Sequence, residues 1–426
     1  MDSKNTHAQQ PVSSLGPMII IASLFFIFGF ATWLNSLLIP YLRIACQLNE
    51  AQSYLVTFAF YIAYLLMAPI STRVLQRFGF KKGMAVALVI MAIGALLFIP
   101  AAYTRTYLLF LIGLFTLGGG LAILQTASNP YITIIGSVET AARRMSIMGI
   151  CNKIAGALAP ILLGLFLQLE EADKIAKDIA TIPADQYQTA LDAIARQVIR
   201  PYLGITAVLL LLSLWITQAK LPEVQGNEEE STDHHSLSSH KKSLWDFPHV
   251  ILGFIALFFY VGVEVLAGDT IIAYGVSQNI PLHRATVFTG YTMGAMILGY
   301  LIGIVTIPKW ISQENAMKGC AVLGIIFTLG IVFTQGMLSL SFVALLGLAN
   351  SLVWPALWPL ALKGVGKFTH AASGLLVMGI AGGAIIPLLY GQLAHVVGSH
   401  KAYWLALPCY LFILYYGILG HKAGKN

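Results

Sequence analysis

The sequence predicts an all-α integral membrane protein: twelve transmembrane helices in two six-helix, pseudo-symmetric halves. Three observations carry that expectation. The chain is 58% hydrophobic and only 10% charged, where a soluble protein carries about 25% charge. Apolar stretches of the roughly 20 residues needed to cross a hydrocarbon core recur along the whole length. The chain also repeats itself: Leu24-Phe25-Phe26 precedes Gly29, Ile39 and Tyr41, and 233 residues on, Leu257-Phe258-Phe259 precedes Gly262, Ile272 and Tyr274 at the same offsets. Gly156, Pro160 and Gly164 return 227 residues on as Gly383, Pro387 and Gly391. Parallel repeats of hydrophobic helices, with a site at the midplane between them, are one way to build a transporter.

The expected spans are 18–42, 53–76, 83–102, 106–134, 145–169 and 201–219 in the first half. In the second half they are 248–275, 287–308, 317–335, 338–361, 371–396 and 403–420. Each is expected to be helical, because hydrocarbon offers backbone groups no other partner. Residues 1–17 form a mostly polar tail without a small-residue cleavage site, so the first stretch reads as a retained span and not a signal peptide. The halves are then 18–219 and 248–420, followed by a short tail, 421–426. Between them lies the polar segment 220–247, expected to be a solvated linker. Its Glu228, Glu229, Glu230, His234, His235 and His240 invite a metal or pH-sensor reading, but the mixed polar composition is that of a linker. A second insert, 170–200, carries Ile179, Ile182, Tyr187, Leu191, Ile194 and Val198 at helical spacing and predicts a cap or surface helix.

An even number of spans puts both termini on one side. Sixteen basic residues fall on that side, among them Arg73, Arg77, Lys81, Lys82, Arg143, Arg144, Lys309 and Lys363, against eight on the other. The positive-inside rule therefore predicts cytoplasmic termini. The net charge of +7 is this loop bias, and no nucleic-acid partner is expected. Cys46, Cys151, Cys320 and Cys409 show no metal-like spacing. With no phosphate-binding loop and no nucleophile–base pair, neither an ATP-driven pump nor an enzyme is expected.

Charges inside a membrane are expensive, about 2.5–3.5 kcal/mol at a helix centre, and each needs a reason. Three stand out: Lys153 in span 5, and Glu264 and Asp269 in span 7. Lys153 can face one of the two carboxylates across the interface between halves. A carboxylate left alone would bind a proton or another cation. A second group is uncharged: Thr32, Asn35 and Ser36 in span 1, Gln125, Thr126, Ser128 and Asn129 in span 4, and Asn152 in span 5. Gln125 and Asn129 lie four apart on one helix face, just before Pro130. Amides offer donors and acceptors without a charge to neutralise, which suits a neutral polyol. Span 10, the repeat partner of span 4, carries Asn350, Ser351, Trp354 and Trp358. A mid-span indole suits stacking on a sugar face.

The loop Ser71-Thr72-Arg73-Val74-Leu75-Gln76-Arg77-Phe78-Gly79-Phe80-Lys81-Lys82-Gly83, between spans 2 and 3, resembles the signature loop of the major facilitator superfamily, with Thr72 where an aspartate is usual. Phe28-Gly29-Phe30-Ala31-Thr32-Trp33-Leu34-Asn35-Ser36 continuing to Tyr41, Gln125-Thr126-Ala127-Ser128-Asn129-Pro130-Tyr131, and Leu375 to Pro387 resemble the fucose–proton symporter family. That resemblance covers all twelve spans. It implies a bacterial inner-membrane sugar symporter working by alternating access as a monomer, with no cofactor beyond a transported cation. Two acids of the family pattern are replaced, by Ser36 and Gln125. The Gln-Thr-Ala form, with Tyr260-Val261-Gly262-Val263-Glu264 in span 7, looks more like the glucose/galactose branch, part of which resembles sodium-coupled transporters. Carried over, the sugar path would be lined by Asn35, Gln125, Asn129, Asn152, Glu264 and Trp354. Ion coupling would fall to Glu264, Asp269, Lys153 or Ser36. The expected function is hexose import driven by sodium. The rivals are proton-coupled symport, uncoupled facilitation with Lys153 in place of the cation, and export of amphipathic compounds.

Overall fold

A computed structural model describes residues 15–134, 141–177, 183–219, 243–307, 309–365 and 368–424. The acidic and histidine-rich part of the linker lies outside the described residues. The described residues are mostly helical, and among them eleven helices are long and apolar enough to cross a membrane. These are Met18–Ala45, Glu50–Ser71, Arg77–Thr104, Tyr107–Ser128, Ile147–Gly164 and Gln186–Gln218, then Pro248–Asp269, Leu282–Thr306, Gln313–Phe333, Gly336–Leu362 and Gly374–Val397. They are spans 1–11. The expected twelfth span is present as a shorter helix, Ala406–Ile418, led in by the tight turn Tyr403–Leu405. Pro408 explains the interruption: it has no N–H for the Trp404 carbonyl and its ring crowds that group.

The two halves pack alike. Span 1 lies on span 5 and, in the repeat, span 7 lies on span 11. Glycines permit both approaches: a Cβ at Gly29 would strike the Asn152 carbonyl, and one at Gly262 would strike Ile386. Small residues allow such close backbone approach where lipid supplies no hydrophobic drive between helices. Between the halves, span 5 meets span 8 and span 11 meets span 2, the pairing expected for two halves related by an axis along the membrane normal.

Several spans are broken near their middles. Span 1 bends at Leu34, and span 7 breaks at Thr270, between Pro248–Asp269 and Ile271–Ser277. Span 10 breaks at Leu352, ahead of Pro355 and Pro359. Span 11 carries the tight turn Gly379–Ala381. Irregular backbone at membrane depth is tolerated only where protein or water satisfies it. At Thr270 the hydroxyl does so, donating to the Leu266 carbonyl at 2.7 Å and sharing a 2.7 Å hydrogen bond with Tyr403. Between spans 2 and 3, Gly79 takes a left-handed φ of 73°, which turns the chain where a Cβ would be strained.

The insert between spans 5 and 6 forms two helices, Leu169–Lys177 and Ala184–Arg196. They lie across one end of the bundle, here called the cap end; the opposite end, which bears residues 219 and 243, is the linker end. The second cap helix is tied down by Tyr41, whose hydroxyl donates to the Ile194 carbonyl at 2.7 Å. It also holds an Arg105–Asp192 ion pair of 3.0 Å.

Candidate functional site

Broken spans 1 and 7, together with span 5, bring the charged residues together at the centre of the interface. Lys153 Nζ donates to Glu264 Oε1 at 2.7 Å, bridging the two halves. Their side chains are 8% and 12% exposed. Lys153 therefore pairs with Glu264 and not with Asp269. The same ammonium stands 4.8 Å from the centre of the Trp33 ring, a cation–π contact that strengthens as water is excluded. Trp33 was missed as a candidate, although two glycines mark its position. A Cβ at Gly156 of span 5 or at Gly268 of span 7 would strike the indole. The ring is thus wedged between the halves beside the ion pair. The phenols of Tyr260 and Tyr300 stand close to Glu264 from spans 7 and 8.

Asp269 is in a different situation. Its side chain is fully buried. Among the described residues its one hydrogen bond comes from across the interface, from the Thr57 hydroxyl of span 2 to Oδ2 at 3.3 Å. Oδ1 has no hydrogen-bond partner and no cation lies within ion-pair distance among the described residues. Thr57 carried no signal in the sequence, being one hydroxyl residue in a span with several.

The uncharged candidates divide. Asn35 is fully buried and both of its side-chain polar atoms lack partners among the described residues. Ser128 of span 4 is in the same position. Gln125 and Asn152 are half-buried, and Asn152 makes a long 3.4 Å contact to the Phe25 carbonyl. The Asn129 side chain lies outside the described residues. Ser36 donates to the Trp33 carbonyl at 2.7 Å, a local bond that occupies its hydroxyl. In span 10, Asn350 accepts from Tyr410 at 2.8 Å, which makes it a helix–helix tie and not a pore-lining amide. Trp354 is half-buried, 5.5 Å from the Trp358 ring and 6.2 Å from Tyr260. The indole N–H of Trp358 has no partner among the described residues.

Between described side chains and backbone, the polar links from half to half run from the Lys153–Glu264 level to the cap end. Beyond Thr57–Asp269, Ser399 donates to Glu50 and the Leu282 N–H donates to Asp173 Oδ2 at 2.6 Å. The rings of Tyr54 and Tyr390 meet edge to face at 5.4 Å. The cap end is therefore closed. A surface recess of about 710 Å³ lies there, between Glu170, Glu171 and Lys174 on one side and His283 and Thr286 on the other. None of the sequence-selected residues lines it.

Two six-helix repeats, closed at one end over a buried ion pair, fit one superfamily, and the family model for the Major Facilitator Superfamily matches residues 21–388. The chain belongs to the Major Facilitator Superfamily. It is 37% identical over 407 residues to a glucose/galactose transporter of Brucella abortus, covering 94% of this chain and 93% of that one. It is 28% identical over 396 residues to the L-fucose-proton symporter of Escherichia coli, covering 92% and 90%. The crystal structure of the E. coli fucose:proton symporter superimposes with a TM-score of 0.71 at 25% identity, over 96% of this chain and 99% of that one. The superfamily assignment makes this a multi-pass membrane transporter and not an enzyme. It calls for no resident cofactor, since a coupling ion is cargo.

Proposed function

We propose that the protein imports a hexose of the glucose/galactose type across the bacterial cytoplasmic membrane, coupled to cation entry, by alternating access of a site between its halves. The observation that carries this reading is the Lys153–Glu264 pair, 2.7 Å long and buried at the centre of the interface. An ion pair there neutralises the site without a bound ion, leaving the Glu264 oxygens to accept hydrogen bonds from sugar hydroxyls. Trp354, half-buried nearby on span 10, offers a flat face. Asn35, Gln125, Asn129 and Asn152 offer amides from the opposite half. The names of the relatives, a glucose/galactose transporter and a fucose–proton symporter, support the substrate class. The loop-charge bias supports cytoplasmic termini, making the cap end the outer end.

Of the two coupling ions, we favour the proton over the sodium suggested by the sequence. Sodium is a hard cation and needs several oxygens around it. The one isolated carboxylate, Asp269, accepts a single hydrogen bond among the described residues, from the Thr57 hydroxyl. A second reading, uncoupled facilitation with Lys153 standing in for the cation, is favoured by the Lys153–Glu264 contact itself. Uptake of radiolabelled glucose, galactose and fucose into proteoliposomes separates these readings. Accumulation against the sugar gradient is expected, and simple equilibration would establish the facilitator. Glu264→Gln is expected to abolish sugar exchange; unchanged exchange would remove Glu264 from the site.

A further inference from the structure

The Lys153–Glu264 pair leaves one intramembrane charge unexplained. Asp269 lies one and a half helical turns further along span 7, fully buried under the closed cap end. A carboxylate taken out of water without a cation is so unfavourable that it takes up a positive partner or the water returns. Among the described residues, the groups facing Asp269 offer none. Span 2 presents the Thr57 hydroxyl and the Tyr61 phenol. Next to Asp269 in the chain, Thr270 is tied to the Tyr403 phenol of span 12. Span 1 presents Trp33, packed on Gly268, and span 8 presents Thr289, whose hydroxyl donates to the Gly268 carbonyl at 3.1 Å. The Lys153 ammonium is engaged by Glu264.

We propose that Asp269 is the proton-binding group that governs closure of the cap end, and so couples proton entry to transport. This inference rests on the transport reading above. With the cap end open, the carboxylate is in water and takes a proton from hydronium onto Oδ, leaving water. The neutral carboxyl then packs against Thr57 as the halves close, and sugar in the central site is carried with it. Once the proton passes to water on the linker side, the carboxylate is left charged in a dry contact, and the cap end reopens. A group that favours one conformation when protonated and the other when not shifts the population between them.

Two measurements test the proposal. In proteoliposomes, one proton per sugar predicts about tenfold galactose accumulation per unit of imposed pH gradient, from the equivalence of one pH unit and one factor of ten. Asp269→Asn is expected to bring that ratio to about one, while galactose exchange at equal concentrations still proceeds. Accumulation by Asp269→Asn equal to wild type would overturn the proposal, as would wild-type accumulation driven by sodium and not by a pH gradient. The second measurement needs no sugar. Spin labels at Gln186 and Lys401, both exposed at the cap end, report its opening in a background with the four cysteines replaced by alanine. The wild-type distance is expected to lengthen as pH rises, and that of Asp269→Asn to show no change with pH. A variant that opens with pH as wild type does would sink the assignment even if the substrate is not a sugar. An absence of sugar exchange together with a pH-dependent cap would overturn only the substrate.

Discussion

Glu264 and Asp269 sit on one helix, one and a half turns apart, and the protein treats them in opposite ways. Glu264 has a lysine at 2.7 Å, a tryptophan behind that lysine and phenols around it. Among the described residues, Asp269 has one hydrogen-bonded hydroxyl at 3.3 Å and an oxygen with no partner. The first is a carboxylate with a cation built in beside it. The second is a charge that the closed conformation does not support. What separates them is the residue across the interface, Lys153 of span 5 in one case and Thr57 of span 2 in the other. A residue's role in this bundle is set by the facing half and not by its own helix.

That contrast can be broken at its strong end. Lys153→Met leaves Glu264 buried and unpaired, a loss of about 3–5 kcal/mol, and is expected to lower the melting temperature markedly and abolish sugar exchange. Adding Glu264→Gln to Lys153→Met should recover much of the stability but not the transport. A double variant as unstable as the single one would show that the pair is not the source of the loss. Gly268→Ala comes next, because its new methyl strikes Trp33. Overpacking of this kind costs about 1–3 kcal/mol, and it should weaken the Lys153–Trp33 contact, visible as a change in tryptophan fluorescence.

The weak end should respond less. Thr57→Val removes the donor to Asp269 and is expected to cost about 1 kcal/mol, read as a small fall in melting temperature at low pH. Asp269→Asn keeps shape and removes only the capacity for charge, so its melting temperature in the closed state should match wild type within about 0.5 kcal/mol equivalent. A large destabilisation there would mean that Asp269 is charged and paired, erasing the distinction from Glu264. Tyr390→Phe removes a hydrogen bond to the Ser399 carbonyl at the cap end and should have a similarly small effect on stability.

Much of this was legible in the chain. The spans were readable because hydrocarbon tolerates so few sequences, and observed boundaries differ from expectation mainly at helix ends, where frayed turns and loops share a composition. Span 6 is an example: its helix runs Ile199–Gln218 where 201–219 was expected, and the amphipathic cap helix Ala184–Arg196 ends just before it. Lys153, Glu264 and Asp269 were readable as exceptions to an apolar rule. Thr57 and Trp33 were not, since a threonine or a tryptophan in a membrane helix is ordinary. Only the Gly156 and Gly268 faces against the indole give Trp33 away. Asn350 was selected as an amide and proved to be bonded to Tyr410, which spacing along one helix cannot reveal.

The amino-acid order by itself determined the helical class, the duplication and the short list of costly polar residues, because each follows from composition and period within a single segment. Which carboxylate takes the lysine was decided by tertiary structure. Spans 5 and 7 are more than a hundred residues apart, and a difference of one and a half turns in their relative height exchanges one partner for the other. The closure of the cap end over Asp269 was likewise decided there, since burial belongs to the facing surfaces of two halves and to neither alone.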